Sequence, residues 1–186
     1  MKLQNKTLKD WTSAIVVVII CIVIGIAADN GFKIYTYFWH FNNPSPIEWQ
    51  KLKIKVPSAL VAKRYSDDTY MNRLKVFLPA HPAKATIFFS PSSATLDNLS
   101  FEKGIRDLGY KVLEKKPCNI LGHSCLRLKS IRKREESLPH AVYVEDVFFK
   151  KFEFRISFIG LYDHRHYLLE VIEDLVFIGK GTIGKV

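Results

Sequence analysis

The sequence predicts an α+β protein: an N-terminal transmembrane helix, then an antiparallel β-sheet domain with two main helices packed on it. Three observations carry that expectation. Residues 11–28, WTSAIVVVIICIVIGIAA, hold no charge. Several later segments alternate apolar and polar residues, which is the period of a half-buried strand. Two others space apolar residues three and four apart, the period of a helical stripe.

The uncharged run comes first. At 1.5 Å per residue it would reach about 27 Å, close to the ~30 Å hydrocarbon core of a bilayer. A helix also satisfies its own backbone there. Residues 1–10 supply a positive n-region through Lys2, Lys6 and Lys9. Gly25-Ile26-Ala27 fits a small-x-small cleavage site, so the segment reads as a retained signal-anchor or a cleaved signal peptide. Its length favours the anchor, because a cleaved h-region runs about 7–15 residues. Aromatic residues flank it: Trp11 in front, and Phe32, Tyr35, Tyr37, Phe38, Trp39 and Phe41 behind. Such rings favour the headgroup zone, which makes Trp11, Tyr35, Tyr37, Phe38 and Trp39 candidate membrane-interface residues. Three lysines precede the run and only Lys33 follows closely. That bias places the N-terminus in the cytoplasm, the chain in the inner membrane and the domain in the periplasm.

Residues 29–46 read as an interfacial aromatic segment and a linker stiffened by Pro44 and Pro46. Residues 47–178 have the length of one domain, and 179–186 read as a flexible tail. The net charge is +10; residues 1–29 carry three Lys and two Asp, or +1, leaving +9 for the rest. A surface this basic suits lipid headgroups, an acidic protein or a polyanionic polymer. An exported domain rarely meets nucleic acid, so none is expected as a partner.

Within the domain, Lys51-Leu52-Lys53-Ile54-Lys55-Val56 alternates as a strand until Pro57. Arg73 to Leu78 repeats the pattern, and Ala85 to Phe89 reads as a more buried strand. Phe101, Ile105 and Leu108 form a helical stripe, with Asn98 or Ser100 as cap and Gly109 as terminator. Lys111-Val112-Leu113 and Cys125 to Lys129 make a hairpin, and 130–139 a polar loop. Residues 140–159 return to strand, with Phe152, Phe154, Ile156 and Phe158 on one face. Lys150-Lys151 fits either a turn or the inside of one long strand. Leu168, Val171, Ile172 and Leu175 then mark a last helix, capped by Asp163.

Cys118 and Cys125 lie in PCNILGHSC. A two-residue turn at Leu121-Gly122 would set Cys118 opposite Cys125, within the Cα spacing a disulfide spans. Free buried thiols are the second reading. Metal binding ranks third, because Cys118, His123 and Cys125 supply three ligands at no common zinc spacing.

The order of elements resembles the PsbP/Mog1-type α/β/α sandwich of small exported bacterial domains and lumenal photosystem-associated proteins. The resemblance rests on LKIKVP, on IFFSP before a helix ending at Gly109, on GHSCLRL, and on FEFRISFIG followed by LLEVIEDLVF. It spans roughly residues 47–178 and implies a non-catalytic accessory or binding domain. It carries over no site residue.

No catalytic set assembles from the chain. Gly179 to Lys185 fits GxxxxGK, but Val186 stands where Ser or Thr should bind magnesium. His164 and His166, two apart beside Asp163, do not share a helix face. His81 and His140 adjoin prolines, Asp67-Asp68 reads as a turn, and Ser90, Ser92 and Ser93 lack a nucleophile elbow. The sharpest basic cluster is Arg132, Lys133 and Arg134, a candidate contact for headgroups or an acidic partner, partly neutralised by Glu135 and Glu136. The expectation is therefore a non-enzymatic envelope protein without cofactor or metal, binding a protein partner as an accessory or assembly factor. Its alternatives are a periplasmic immunity-type protein that neutralises a toxin, and a small hydrolase or lipid- or small-ligand-binding domain. A cleft with convergent polar groups would argue for the last.

Overall fold

Alternating side chains build the central sheet. In β4 (Arg73–Phe77), Leu74 and Val76 turn inward, and in β9 (Phe154–Gly160) Phe154, Ile156 and Phe158 do the same. The computed structural model describes residues 4–43, 45–65, 72–91, 98–132 and 141–178. Seven strands join in one antiparallel sheet, ordered β3 (Val61–Tyr65), β4, β5 (Ala85–Pro91), β9, β8 (Val142–Phe149), β7 (His123–Arg132) and β6 (Tyr110–Ile120). A smaller sheet sets β2 (Leu52–Ile54) between β1 (Ile47–Trp49) and β10 (Val176–Phe177).

The smaller sheet packs on one face of the larger, here the inner face. Trp49 bridges them, its ring centroid 5.8 Å from Phe89 and 6.3 Å from Phe154. Its indole N–H donates to the Asn72 carbonyl at 2.9 Å, so the buried ring has its polar atom paired. Helix α3 (His166–Glu173) closes the same core with Leu168, Val171 and Ile172. Helix α2 (Asn98–Asp107) lies on the other face beside β6, and Gly109, at φ 80°, ends it in the left-handed region that glycine enters freely.

Two expectations are corrected. The chain is mainly β rather than α+β. Strands β1 and β10 carry too few residues to show a period and β3, VAKRY, loses its alternation after two, yet they complete both sheets. The second correction concerns residues 11–28. They fall within α1 (Gln4–Asn42), which continues without a break through the aromatic segment as far as Asn42. Among the described residues no helix is long and apolar enough to cross a membrane, and that removes the transmembrane signal-anchor.

The C-terminal end of α1 docks on the domain. Trp39 packs against the core, Thr36 is buried, and the His40 Nε2–H donates to the Leu60 carbonyl at 2.9 Å. The last helix starts later than its expected cap. Asp163 sits in a 3₁₀ turn, Tyr162–His164, and Arg165 takes the N-cap position with no side-chain cap. The polar loop expected from residue 130 also starts later, because β7 continues through Arg132. Between β8 and β9, Lys150–Phe152 forms a 3₁₀ turn, and Glu153 at φ 54° brings the chain back.

Candidate functional site

Strand β8 reads VYVEDVFF and carries two consecutive carboxylates through the middle of the sheet. Strand alternation sends them to opposite faces. Both are buried, Glu145 at 0% exposure and Asp146 at 3%, so each needs a partner.

Glu145 on the inner face has three. Arg165 grips it with Nε and Nη2, the latter at 3.0 Å. Arg127 Nε lies 3.2 Å away, and the Tyr143 hydroxyl donates at 2.6 Å. Burial alone would raise the Glu145 carboxyl, but the hydrogen bonds and charges of Arg165, Tyr143 and Arg127 outweigh it and hold the group below its ordinary range. Burial and the bond to Glu145 push the Tyr143 phenol up. The cluster ties α3 to the sheet through Arg165, so its role is architectural.

Asp146 on the outer face stands at the floor of a cleft of about 270 Å³ under α2. The Ser157 hydroxyl donates to its Oδ1, and Arg155 Nε lies 3.8 Å from the same oxygen. Burial pushes the Asp146 carboxyl up, and Arg155 and Ser157 do not cancel it. Beside it on β7, the Ser130 hydroxyl is buried at 1% exposure with no hydrogen-bond partner. Phe88, Ile105, Leu108, Val144 and Ile159 form the apolar wall, and Arg73 stands on the β4 side. Pairings Leu128↔Asp146 and Asp146↔Ser157 bring these residues together from separate strands.

The hairpin follows the sequence reading. Leu121 and Gly122 have φ of 51° and 79°, as a two-residue turn between twisted strands requires, and Cys118 pairs with Cys125. The two cysteines are disulfide-bonded at a Cα separation of 4.8 Å. His123, at the hairpin end, packs on Phe177 and Phe152 with ring centroids 4.3 and 4.8 Å away.

Other expected residues scatter. Arg132 ends β7 with its guanidinium 5.8 Å from the Tyr110 ring, while Lys133 and Arg134 lie outside the described residues. Tyr35, Tyr37 and Phe38 are exposed on α1, and Trp39 turns into the domain. Trp11 lies on α1 with its side chain outside the description, and Gly179 to Lys185 lie outside it altogether. His166 Nδ1 donates to the Asp163 carbonyl at 3.0 Å, while the buried His164 Nδ1 has no hydrogen-bond partner. The cleft residues were missed. Their one signal was a Glu-Asp pair inside an otherwise apolar strand.

No protein-family model matches the chain, and no curated protein matches it. Among solved structures, the crystal structure of PA94, a Pseudomonas aeruginosa protein of unknown function, is similar over 73% of this chain and 96% of that one. Its identity is 14% and its TM-score 0.38.

Proposed function

We propose that the chain is a non-catalytic accessory protein that binds a protein partner through α1. The carrying observation is the exposed apolar surface of that helix. Ile15, Val16, Val17, Val18, Ile19 and Ile20 are each at least half exposed, around the full turn of the helix. A helix apolar all round is one that is buried in its working setting, and a partner protein supplies that burial in this reading. Phe32, Tyr35 and Phe38 continue the exposed surface toward the domain. The net charge of +10 favours an acidic partner surface. The disulfide supports an oxidising, extracytoplasmic location such as the periplasm.

The test is co-purification of the full-length protein in mild detergent, comparing wild type with a Val16→Asp, Ile20→Asp variant. A stoichiometric protein that the variant loses supports the reading. A secreted toxin as that partner would make this an immunity-type protein. Recovery of the chain alone overturns it.

A further inference from the structure

We propose that the outer-face cleft binds a small, neutral, largely apolar molecule, whose one oxygen acceptor takes the Ser130 hydroxyl and whose body lies against Ile105, Leu108 and Ile159. This site is independent of α1, whose docked end packs beside Ala62 and Leu74 on the inner side of the sheet.

The floor of the cleft explains why there is space at all. On the inner face the strands present large side chains such as Phe89, Ile156 and Phe158, which fill the gap to the next layer. On the outer face β5, β9 and β7 present Ser90, Ser157 and Ser130, each no more than 4% exposed. A serine reaches one atom past its Cβ, so Ile105 and Leu108 above the floor leave about 270 Å³ between them and the sheet. That volume lies at the small end of ligand sites and suits about a dozen non-hydrogen atoms. The wall is mostly apolar, so most of the ligand must be apolar too.

Ser130 sets the polar end of the ligand. Its hydroxyl is the one buried side-chain polar atom of the described lining without a hydrogen-bond partner. Such a group is costly, and native structures seldom leave one. Its cross-strand neighbours, Val112 on β6 and Val144 on β8, have no side-chain acceptor to offer. A ligand oxygen in the cleft supplies one. The ionisable groups of the lining are committed elsewhere. Asp146 accepts from Ser157 and faces Arg155, and Arg73 and Arg155 each have further contacts within the protein. A charged head group would compete with those contacts or be buried unpaired, whereas Ser130 needs only a neutral acceptor. A ketone, aldehyde or ester of medium chain length has that chemistry.

The experiment is isothermal titration calorimetry on the full-length protein with three probes that share one eight-carbon chain: octan-2-one, octanoate and octylamine. The ketone is expected to bind at least about tenfold more tightly than either ion. Ser130→Ala should weaken it about fivefold, and because the variant removes an unpaired buried hydroxyl its melting temperature should hold or rise. Leu108→Trp puts a larger side chain on an exposed residue of the cleft, far from α1, and should abolish ketone binding while the melting temperature holds. Ketone taken up by the apolar side chains of α1 would persist in that variant. No binding of octan-2-one, an affinity for octanoate or octylamine that equals it, binding untouched by Leu108→Trp or by Ser130→Ala, or a melting temperature lowered by Ser130→Ala would each overturn the proposal.

Discussion

The two faces of the seven-stranded sheet solve burial in opposite ways. The inner face meets a second sheet and α3, and its strands present Leu74, Val76, Ile87, Phe89, Ile156 and Phe158. Its one fully buried charge among the described residues, Glu145, is surrounded by arginines and a tyrosine. On the outer face the same strands present Thr86, Ser90, Ser130, Asp146 and Ser157, all below one-tenth exposed. There the carboxylate has a looser arginine, and a hydroxyl stands unpaired. The inner face is built for cohesion by apolar packing, whereas the outer face buries small polar groups that pair locally, Thr86 with the Pro82 carbonyl and Ser157 with Asp146.

Breaking the inner cluster is expected to have the largest effect. Glu145→Ala strands Arg165 and Arg127 inside the domain and should cost about 3–5 kcal/mol, read from urea unfolding. Gly160→Ala attacks the same face differently. A Cβ there would lie 2.2 Å from the Lys84 carbonyl oxygen, so backbone must move, and a loss of about 3 kcal/mol is expected in the same assay. Replacing Cys118 and Cys125 with serine opens a short loop whose closure is worth about 2 kcal/mol; a calorimetric melt with and without reductant measures it.

The smallest effect separates the faces by pH. Glu145 has a folded pKa below its unfolded value, so its contribution is present above the unfolded pKa and is lost as pH falls through the folded one. Asp146 has the reverse shift. Its contribution is present below the unfolded pKa and is lost as pH rises through the folded one. Across about pH 3 to 7, Asp146→Asn should therefore remove a component that grows on acidification, and Glu145→Gln one that shrinks. Urea midpoints measured at intervals decide it; identical pH profiles for the two variants would erase the distinction between the faces.

The strands whose alternation exposed them in the sequence are the ones with a buried and a wet side. Lys75 between Leu74 and Val76 reads directly, and so does Arg155 between Phe154 and Ile156. Strand β3 was invisible, because its pattern VAKRY loses its period after two residues. The α1 terminus was hidden as well: the aromatic run 32–41 contains no glycine or proline, so nothing stops the helix before Asn42. The hairpin turn was legible because Gly122 permits it. The cleft was not, since Ser130, Asp146 and Ser157 meet only through pairings between separate strands, and sequence spacing carries no trace of that register. The Glu145-Asp146 step was the one legible hint, because two charges in an apolar strand must each find a cation.

The strand order ends at β3 and β6, and an eleven-residue edge such as β6 is a template on which another copy could add a strand. The sequence of β6 blocks that route to aggregation. Its register slips between Val112 and Glu114, Pro117 lacks an amide hydrogen, and Lys115 and Lys116 stand exposed along it. Edge-to-edge growth into fibrils is disfavoured there, and a chain with so much apolar surface on α1 keeps its sheet out of self-assembly.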